Sequence, residues 1–245
     1  MQERNIEIDQ LYELLDRQSE KLRARYDHSL TPTVFPTSRR GWGTKGVYFF
    51  FEPDEQRGFN VDAQRVVRIG SHSGGKSSIE SRIVQEHAKD WGRSIFRRHV
   101  GASLIRRGDF DIEIKQVDEV KQVDRDRWAN LWSARRNGRG VHHLLESLDP
   151  ALHSLHAIVT ETIKNMNIVW IEIPDRNARL DFEKECIQLL SNYNNASDPI
   201  DSPSKDWLGR FSLNEEVQRS GLWNVQHVKR PHRSGFLQDF EKYFF

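Results

Sequence analysis

GVYFFFEPDEQRGFNVDAQRVVRIG, residues 46–70, contains two short runs that are rich in aromatic and β-branched residues. Runs of this composition favour β-strands, and they lie at residues 47–51 and 65–69. Pro53 and Gly58 stand between the two runs and indicate turns. We therefore expect a pair of short strands joined by a long hairpin connection.

Helical and extended patterns flank this hairpin on both sides. Residues 5–26 carry apolar residues at helical spacing, with acids early and bases late, as the helix dipole favours. Ser77 and Glu80 match a capping box, which predicts the start of another helix. Further patterns predict helices at 94–107, 178–191 and 236–244, strands at 110–115 and 168–173, and helical structure over 118–165.

The order of these elements predicts an α+β fold in which a small mixed or antiparallel sheet is layered with helices. Residues 1–44 would form an N-terminal helix and a linker, and residues 45–195 would form the core. We expect a helical insertion in that core at about 109–165. Residues 196–245 would be a C-terminal extension that packs on the core.

The composition of the 245-residue chain limits the classes of function. Apolar residues make up 36% and aromatic residues 10%, which is enough for a packed core and argues against disorder. The lone cysteine, Cys186, excludes an internal disulfide. No apolar run is long enough to span a membrane and the first residues are acidic, so we expect a cytoplasmic protein without a membrane partner.

A formal charge of +1 excludes a surface that coats nucleic acid non-specifically. Positive charge is concentrated locally, since residues 82–107 contain seven basic residues and two acidic ones. In this strip Arg93, Arg97 and Arg98 are candidates for contacts to phosphate. The alternative is that they form an ordinary exposed face of a helix.

Glu183 stands out on its predicted helix. At about 100° per residue it falls within the arc occupied by Phe182, Cys186 and Leu190. A buried carboxylate needs a metal ion, a basic partner such as Arg176 or Arg179, or an opening to solvent. Glu185 lies outside that arc and is expected to be an ordinary surface acid.

The order of these features resembles the GIY-YIG nuclease superfamily. Gly46-Val47-Tyr48 and Arg68-Ile69-Gly70 match its two strand motifs, and they are followed by a helix with Arg82 and a later helix with Glu183. The resemblance covers roughly residues 46–195 apart from the insertion, and the segments 94–97 and 220–224 are similar to a bacterial subgroup.

The resemblance implies a DNA endonuclease that depends on Mg²⁺ or Mn²⁺. Tyr48 would orient or deprotonate the attacking water, Arg82 would stabilise the phosphate, and Glu183 would be the metal ligand. A single carboxylate suffices because Mg²⁺ readily keeps water and phosphate oxygens as its other ligands.

Two positions depart from the superfamily pattern. Arg68 replaces a tyrosine, so the role of that ring is either absent or taken by another group, such as His72, while Arg68 itself becomes a candidate for binding nucleic acid. His87 follows Arg82 by five residues instead of four, which predicts a different orientation or a local bulge. The alternative functions are therefore an inactive nucleic-acid-binding module and a protein-interaction module on the same scaffold.

Overall fold

The computed structural model describes residues 2–25, 45–58, 60–72, 78–79, 81–87, 94–110, 125–134, 149–195 and 199–244. The strands are β1 (Gly46–Arg57), β2 (Asn60–Ser71) and β3 (Asn167–Glu172). The α-helices are α1 (Gln2–Arg25), α2 (Ile95–Arg107), α3 (Arg125–Ser133), α4 (Asp149–Lys164), α5 (Arg176–Leu190) and α6 (Glu215–Ser220). A π-helix spans Ser81–His87, and 3₁₀-helices span Leu208–Phe211 and Phe236–Tyr243.

The three strands form an antiparallel sheet in the order β2-β1-β3, which confirms the predicted α+β class. Tyr48 on the central strand lies opposite Gly70 on one side and Trp170 on the other. Paired residues of an antiparallel sheet point to the same face, so the side chains of Tyr48, Phe50 and Arg68 share one face.

The hairpin is longer than the sequence predicted. β1 and β2 each have 12 residues, so most of the expected connection belongs to the strands. The register shifts between Phe51 and Gln56, and this irregularity contains Pro53. Proline cannot donate a hydrogen bond to a neighbouring strand, and a bulge accommodates it without losing the pairing on either side.

Helices cover both faces of the sheet. On one face Phe182 of α5 packs against Phe49, with a distance of 6.3 Å between ring centroids. On the opposite face Phe96 of α2 packs against Phe50 at 5.5 Å. Helices α3 and α4 pack against α2, on the side that does not face the sheet.

The C-terminal residues cover the outer edge of β2. The Trp223 amide donates to the carbonyl oxygen of Val67 at 2.7 Å. The side-chain amide of Asn224 accepts from the Ile69 amide at 3.0 Å and donates to the Ile69 carbonyl at 2.8 Å. An edge strand exposes unpaired backbone groups. These contacts pair the backbone groups of Val67 and Ile69, just before β2 reaches the site described below.

Most predicted elements are confirmed, with small shifts of their ends. The predicted C-terminal helix is a 3₁₀-helix. The residues of the predicted capping box, Ser77 and Glu80, lie outside the described residues, and beside them Ser78 and Ser81 form reciprocal hydrogen bonds at 2.9 and 3.1 Å. The predicted strand at 110–115 lies outside the described residues beyond residue 110. None of the helices in the described part of the chain has both the length and the apolar character that crossing a membrane requires.

Candidate active site

A cleft of about 830 Å³ opens where β2 ends, between the helical layers. Its walls come from β1, β2, the π-helix, α2, α5 and the C-terminal segment. The cleft brings together five of the predicted site residues, which are Tyr48, Arg68, Arg82, His87 and Glu183. Apart from Arg82 and His87, which share the π-helix, these residues lie far apart in the sequence, so the fold makes them neighbours.

Gly70 allows the cleft to reach Tyr48. A Cβ atom at residue 70 would lie 2.5 Å from the Tyr48 hydroxyl oxygen and 2.6 Å from its Cζ atom. Both distances are well below van der Waals contact, so any larger side chain would displace the phenol. The third residue of the second strand motif is therefore glycine because the ring of Tyr48 lies directly over its Cα.

The Tyr48 hydroxyl begins a hydrogen-bonded chain of three side chains. It lies 2.8 Å from Nε2 of His87, and Nδ1 of His87 lies 2.8 Å from Oγ of Ser94. Ser94 is also the N-cap of α2, where its Oγ accepts from the Arg97 amide. All three side chains are buried, so the chain holds the phenol in one orientation.

The π-helix explains the unusual spacing of His87. In an α-helix the residue that follows Arg82 by four positions would lie one turn away. The i→i+5 hydrogen bonding of a π-helix puts the fifth residue there instead. His87 consequently reaches Tyr48 despite the extra residue, as the expected local bulge would require.

Burial and neighbouring charges set the protonation of this pair. Burial raises the pKa of Tyr48, and the positive charges of Arg68 and Arg82 oppose that rise. Burial, followed by the charges of Arg68, Arg82 and Arg97, lowers the pKa of His87 well below its ordinary value. At neutral pH Tyr48 is therefore a neutral phenol and His87 a neutral imidazole, with one ring nitrogen as donor and the other as acceptor.

Arg68 lies inside the site rather than on an outer surface. Its guanidinium stacks over the Phe96 ring at 4.7 Å, and its Nη1 donates to the Trp223 carbonyl oxygen at 3.3 Å. Burial lowers the pKa of Arg68, while the nearby Tyr48 and Glu183 oppose that shift. The cleft thus contains two guanidinium groups, those of Arg68 and Arg82.

Glu183 reaches the cleft around the edge of β2. Its helix, α5, covers the face of the sheet opposite to Tyr48, but Glu183 lies next to the last residue of β2 and accepts a hydrogen bond from Ser71 Oγ. The side chain is half-buried and lines the same cleft as Tyr48. Ser71 is therefore the hydrogen-bonding partner that the structure describes for Glu183, and the charge of Glu183 also acts on Arg179.

The prediction that Glu185 is an ordinary surface acid is wrong. Only 4% of Glu185 is exposed, its carboxylate accepts from the Arg233 amide at 2.6 Å, and it pairs with Lys184 at 3.1 Å. The C-terminal segment packs over Glu185. The periodicity of α5 could not predict this burial, because the residues that cover Glu185 lie elsewhere in the sequence.

The donor set fits a magnesium-type ion better than zinc. In the described residues no group of three or more His, Cys, Asp or Glu side chains could hold a metal ion. Zinc sites need several such ligands, whereas Mg²⁺ is commonly held by one or two carboxylates together with water and phosphate oxygens. Glu183, oriented by Ser71, is the residue that would hold such an ion.

Among the described residues of the basic strip, Arg97 is buried and Arg98 is half-buried. Arg97 is 1% exposed, and its guanidinium donates to the carbonyl oxygens of His87 and His156, at 2.9 and 3.2 Å, and to Thr160 Oγ1 at 2.9 Å. Its interior position removes Arg97 from the candidates for phosphate contact. Arg98 is half-buried and donates to the Ser133 carbonyl at 3.1 Å, and Arg93 lies outside the described residues.

His72 lies apart from the Tyr48 chain. It is 1% exposed and does not line the cleft. Burial, followed by the charges of Arg179, Lys45 and Arg82, lowers its pKa to about 4. His87, and not His72, is the histidine that contacts Tyr48.

The sequence patterns did not predict the polar side chains that support the site. Ser71 orients Glu183, Ser94 orients His87, and Asn224 fixes the C-terminal wall against β2. Ser71 directly follows the second motif, and Ser94 and Asn224 lie in the segments 94–97 and 220–224 that resemble the bacterial subgroup. The roles of Ser94 and Asn224 depend on tertiary contacts.

The comparisons with known proteins agree with this arrangement of motifs. The model of the GIY-YIG domain family matches residues 2–244, so the match includes α1 and the C-terminal extension as well as the motifs. No curated protein and no solved structure matches the chain. The chain belongs to the GIY-YIG domain family, whose members are typically endonucleases that act on nucleic acids and generally use divalent metals.

Proposed function

We propose that the chain is a divalent-metal-dependent endonuclease that hydrolyses a DNA phosphodiester in the cleft. The observation that carries this proposal is that Tyr48, Arg82 and Glu183, from three separate elements, line one cleft. A phosphoryl transfer needs an oriented nucleophile, cations near the charge that develops on phosphorus, and help for the departing oxygen.

Arg82 and Arg68 would stabilise the phosphate. Guanidinium groups form charge-assisted hydrogen bonds to phosphate oxygens, and such bonds are strongest where water is excluded. Arg68 is held by Phe96 and Trp223, so its guanidinium is already oriented before a substrate enters. Two cations would thus substitute for the usual combination of one arginine and a second motif tyrosine.

Tyr48 would orient the attacking water. In the tautomer of His87 that carries its proton on Nδ1, the phenol donates to Nε2 and Nδ1 donates to Ser94 Oγ. The phenol oxygen, which also interacts with the guanidinium groups of Arg68 and Arg82, would accept a hydrogen bond from the attacking water. Because burial raises the pKa of Tyr48, orienting the water is better supported than removing its proton.

Glu183 would hold the metal ion. The hydrogen bond from Ser71 occupies Oε2 and fixes the carboxylate, as the supporting hydrogen bonds of metal ligands commonly do. A bound Mg²⁺ or Mn²⁺ would polarise the phosphate and make a water molecule more acidic.

A nucleic-acid-binding module without catalysis is the alternative. It was suggested by Arg68 in place of a tyrosine and by the position of His87. The contact between His87 and Tyr48 at 2.8 Å, which the π-helix allows, removes the second of these reasons and favours hydrolysis.

Nicking of supercoiled plasmid in the presence of Mg²⁺ or Mn²⁺ tests the proposal. We expect wild type to nick DNA, EDTA to stop the reaction, and Glu183→Gln to be at least about 100-fold slower. Glu241→Gln is the matched control because it removes an exposed carboxylate outside the cleft. Salt-dependent binding without nicking would support the alternative, and full activity of Glu183→Gln would refute the assigned metal ligand.

A further inference from the structure

Residues 225–227 belong to the C-terminal wall of the cleft, and the residues on either side of them are hydrogen-bonded to the rest of the protein. Before the segment, the backbone of Trp223 and the side chain of Asn224 are hydrogen-bonded to β2. After it, Val228 is buried and its carbonyl accepts from Ser191 Oγ at 2.7 Å. Residues 225–227 between these anchors line the cleft.

His227 has an unusual backbone conformation in this segment. Its φ is 68°, and in the described chain Asp201 is the other non-glycine residue with a positive φ. Asp201 has a structural explanation because it is buried and pairs with Arg57 at 3.3 Å. Positive φ is costly for a residue with a side chain, and it persists where the surrounding contacts impose it, often at functional sites.

Within the part of the chain that the structure describes, no side-chain contact of the His227 imidazole accounts for this backbone conformation. The ring is exposed at the cleft, and it forms no hydrogen bond to any residue that the structure describes. The backbone therefore takes an uncommon conformation at a residue whose side chain lines the site.

The proposed hydrolysis lacks a donor for the leaving oxygen, and His227 is suited to that role. Histidine is the side chain most often used as a general acid. The other histidines of the cleft are less suitable, since His87 is buried against Tyr48 and His99 is 8% exposed with a pKa lowered to about 4. Guanidinium groups such as that of Arg82 do not release protons at neutral pH.

We infer that His227 is a further catalytic residue, which donates a proton to the leaving oxygen of the phosphodiester. This inference rests on the proposed nuclease function. The water oxygen forms a bond to phosphorus while the bond from phosphorus to the sugar oxygen breaks. The His227 imidazolium gives its proton to that sugar oxygen, solvent reprotonates the ring, and the proton of the attacking water passes to solvent.

A sulfur-substituted substrate separates proton donation from a structural role. After the cleavage position of wild type is mapped, an oligonucleotide is made with sulfur in place of the leaving oxygen there. A thiolate departs without a proton, so a general acid no longer matters. His227→Asn and His227→Gly are the test variants, because both residues tolerate positive φ and neither can act as an acid.

We expect both variants to cleave the oxygen substrate about 100-fold more slowly than wild type, which is the lower end of general-acid effects. We expect them to cleave the sulfur substrate within about threefold of wild type. Equal losses on both substrates, or no loss on the oxygen substrate, would overturn the assignment of His227. Wild type that does not cleave the oxygen substrate would refute the nuclease proposal itself.

Discussion

At the scale of single residues, the contact between Gly70 and Tyr48 determines the depth of the cleft. The phenol lies over the Cα of Gly70 and is held from the other side by His87. Neither residue can change size without moving the hydroxyl that we propose orients water. The second motif therefore contributes to the site in two ways. Arg68 supplies a guanidinium group, and Gly70 leaves room for the Tyr48 ring because it has no side chain.

Gly70→Ala tests this contact. We expect the new methyl group to displace the Tyr48 ring, to destabilise the fold by about 1–3 kcal/mol, and to abolish most cleavage. Urea unfolding and single-turnover cleavage would measure the two effects. Gly58→Ala is the matched control, because nothing lies within 4 Å of a Cβ atom there and its φ is not positive. A Gly70→Ala protein that behaves like Gly58→Ala would disprove the contact.

The sequence predicted some residues of the site correctly and placed others wrongly. Tyr48, Arg82 and Glu183 were predicted together from the order of the motifs, and they line one cleft. Arg97 was expected to contact phosphate because a basic strip is normally exposed, but α4 and the carbonyl of His87 enclose it. A local count of charges cannot reveal such enclosure, since it depends on helices far away in the sequence.

At the scale of elements, the π-helix compensates for one additional residue between Arg82 and His87. Its hydrogen bonding places His87 about one turn from Arg82. From the sequence, this spacing could mean either a bulge or a rotated side chain. Apolar periodicity in so short a stretch does not distinguish a bulge from a rotated side chain. The reason is that the hydrogen bonds of an α-helix and of a π-helix differ in span by a single residue.

Deletion of Gln85 should convert the π-helix into an ordinary α-helical turn. We expect the shortened protein to keep its histidine on Tyr48, to melt within a few degrees of wild type, and to retain cleavage. Deletion of Lys184 in α5 is the control, since it would rotate the following residues by about 100° and unfold the protein. Thermal melting and plasmid nicking measure both variants. Loss of cleavage in a folded Gln85 deletion would contradict this account of the spacing.

Arg97 links α2, the π-helix and α4. We expect Arg97→Met to lower the free energy of unfolding by about 3–5 kcal/mol, because buried carbonyl oxygens lose their donor. The salt dependence of DNA binding should not change, measured where the variant remains folded. A phosphate contact predicts the opposite result, in which stability is kept and the slope of log affinity against log salt falls by about one.

At the scale of the whole molecule, the C-terminal extension is part of both the core and the site. Trp207 and Trp223 pack together with ring centroids 5.4 Å apart, and both indole nitrogens donate to Glu52 on β1. Burial raises the pKa of Glu52 to about 7. The tryptophans therefore form a packed cap. The wall at residues 223–227 was not predictable from the sequence, because its position depends on contacts with the edge of the sheet.

Acid should destabilise the fold through buried neutral histidines. Burial lowers the pKa of His99 from 6.5 to about 4, and the charges of Arg68 and Arg98 act in the same direction. Below pH 6.5 the unfolded chain takes up this proton first, so stability falls with pH and levels off below about pH 4. Glu52 acts in the opposite sense, because its folded pKa is raised.

His99→Gln isolates this contribution, since glutamine does not titrate. Between pH 7.5 and 4.5 we expect the stability of wild type relative to His99→Gln to fall by about 2 kcal/mol. Urea unfolding at the two pH values gives the difference directly. An unchanged difference would mean that His99 titrates alike in the folded and unfolded states.

The central claim is that Tyr48 and Glu183 act in a single site, and a double-mutant cycle of single-turnover DNA cleavage tests it most directly. Residues that act as a unit give strongly non-additive losses. We predict that Tyr48→Phe and Glu183→Gln each slow cleavage at least about 100-fold, and that the double variant is hardly slower than the worse single variant. Losses that multiply, or full activity of either single variant, would contradict the account.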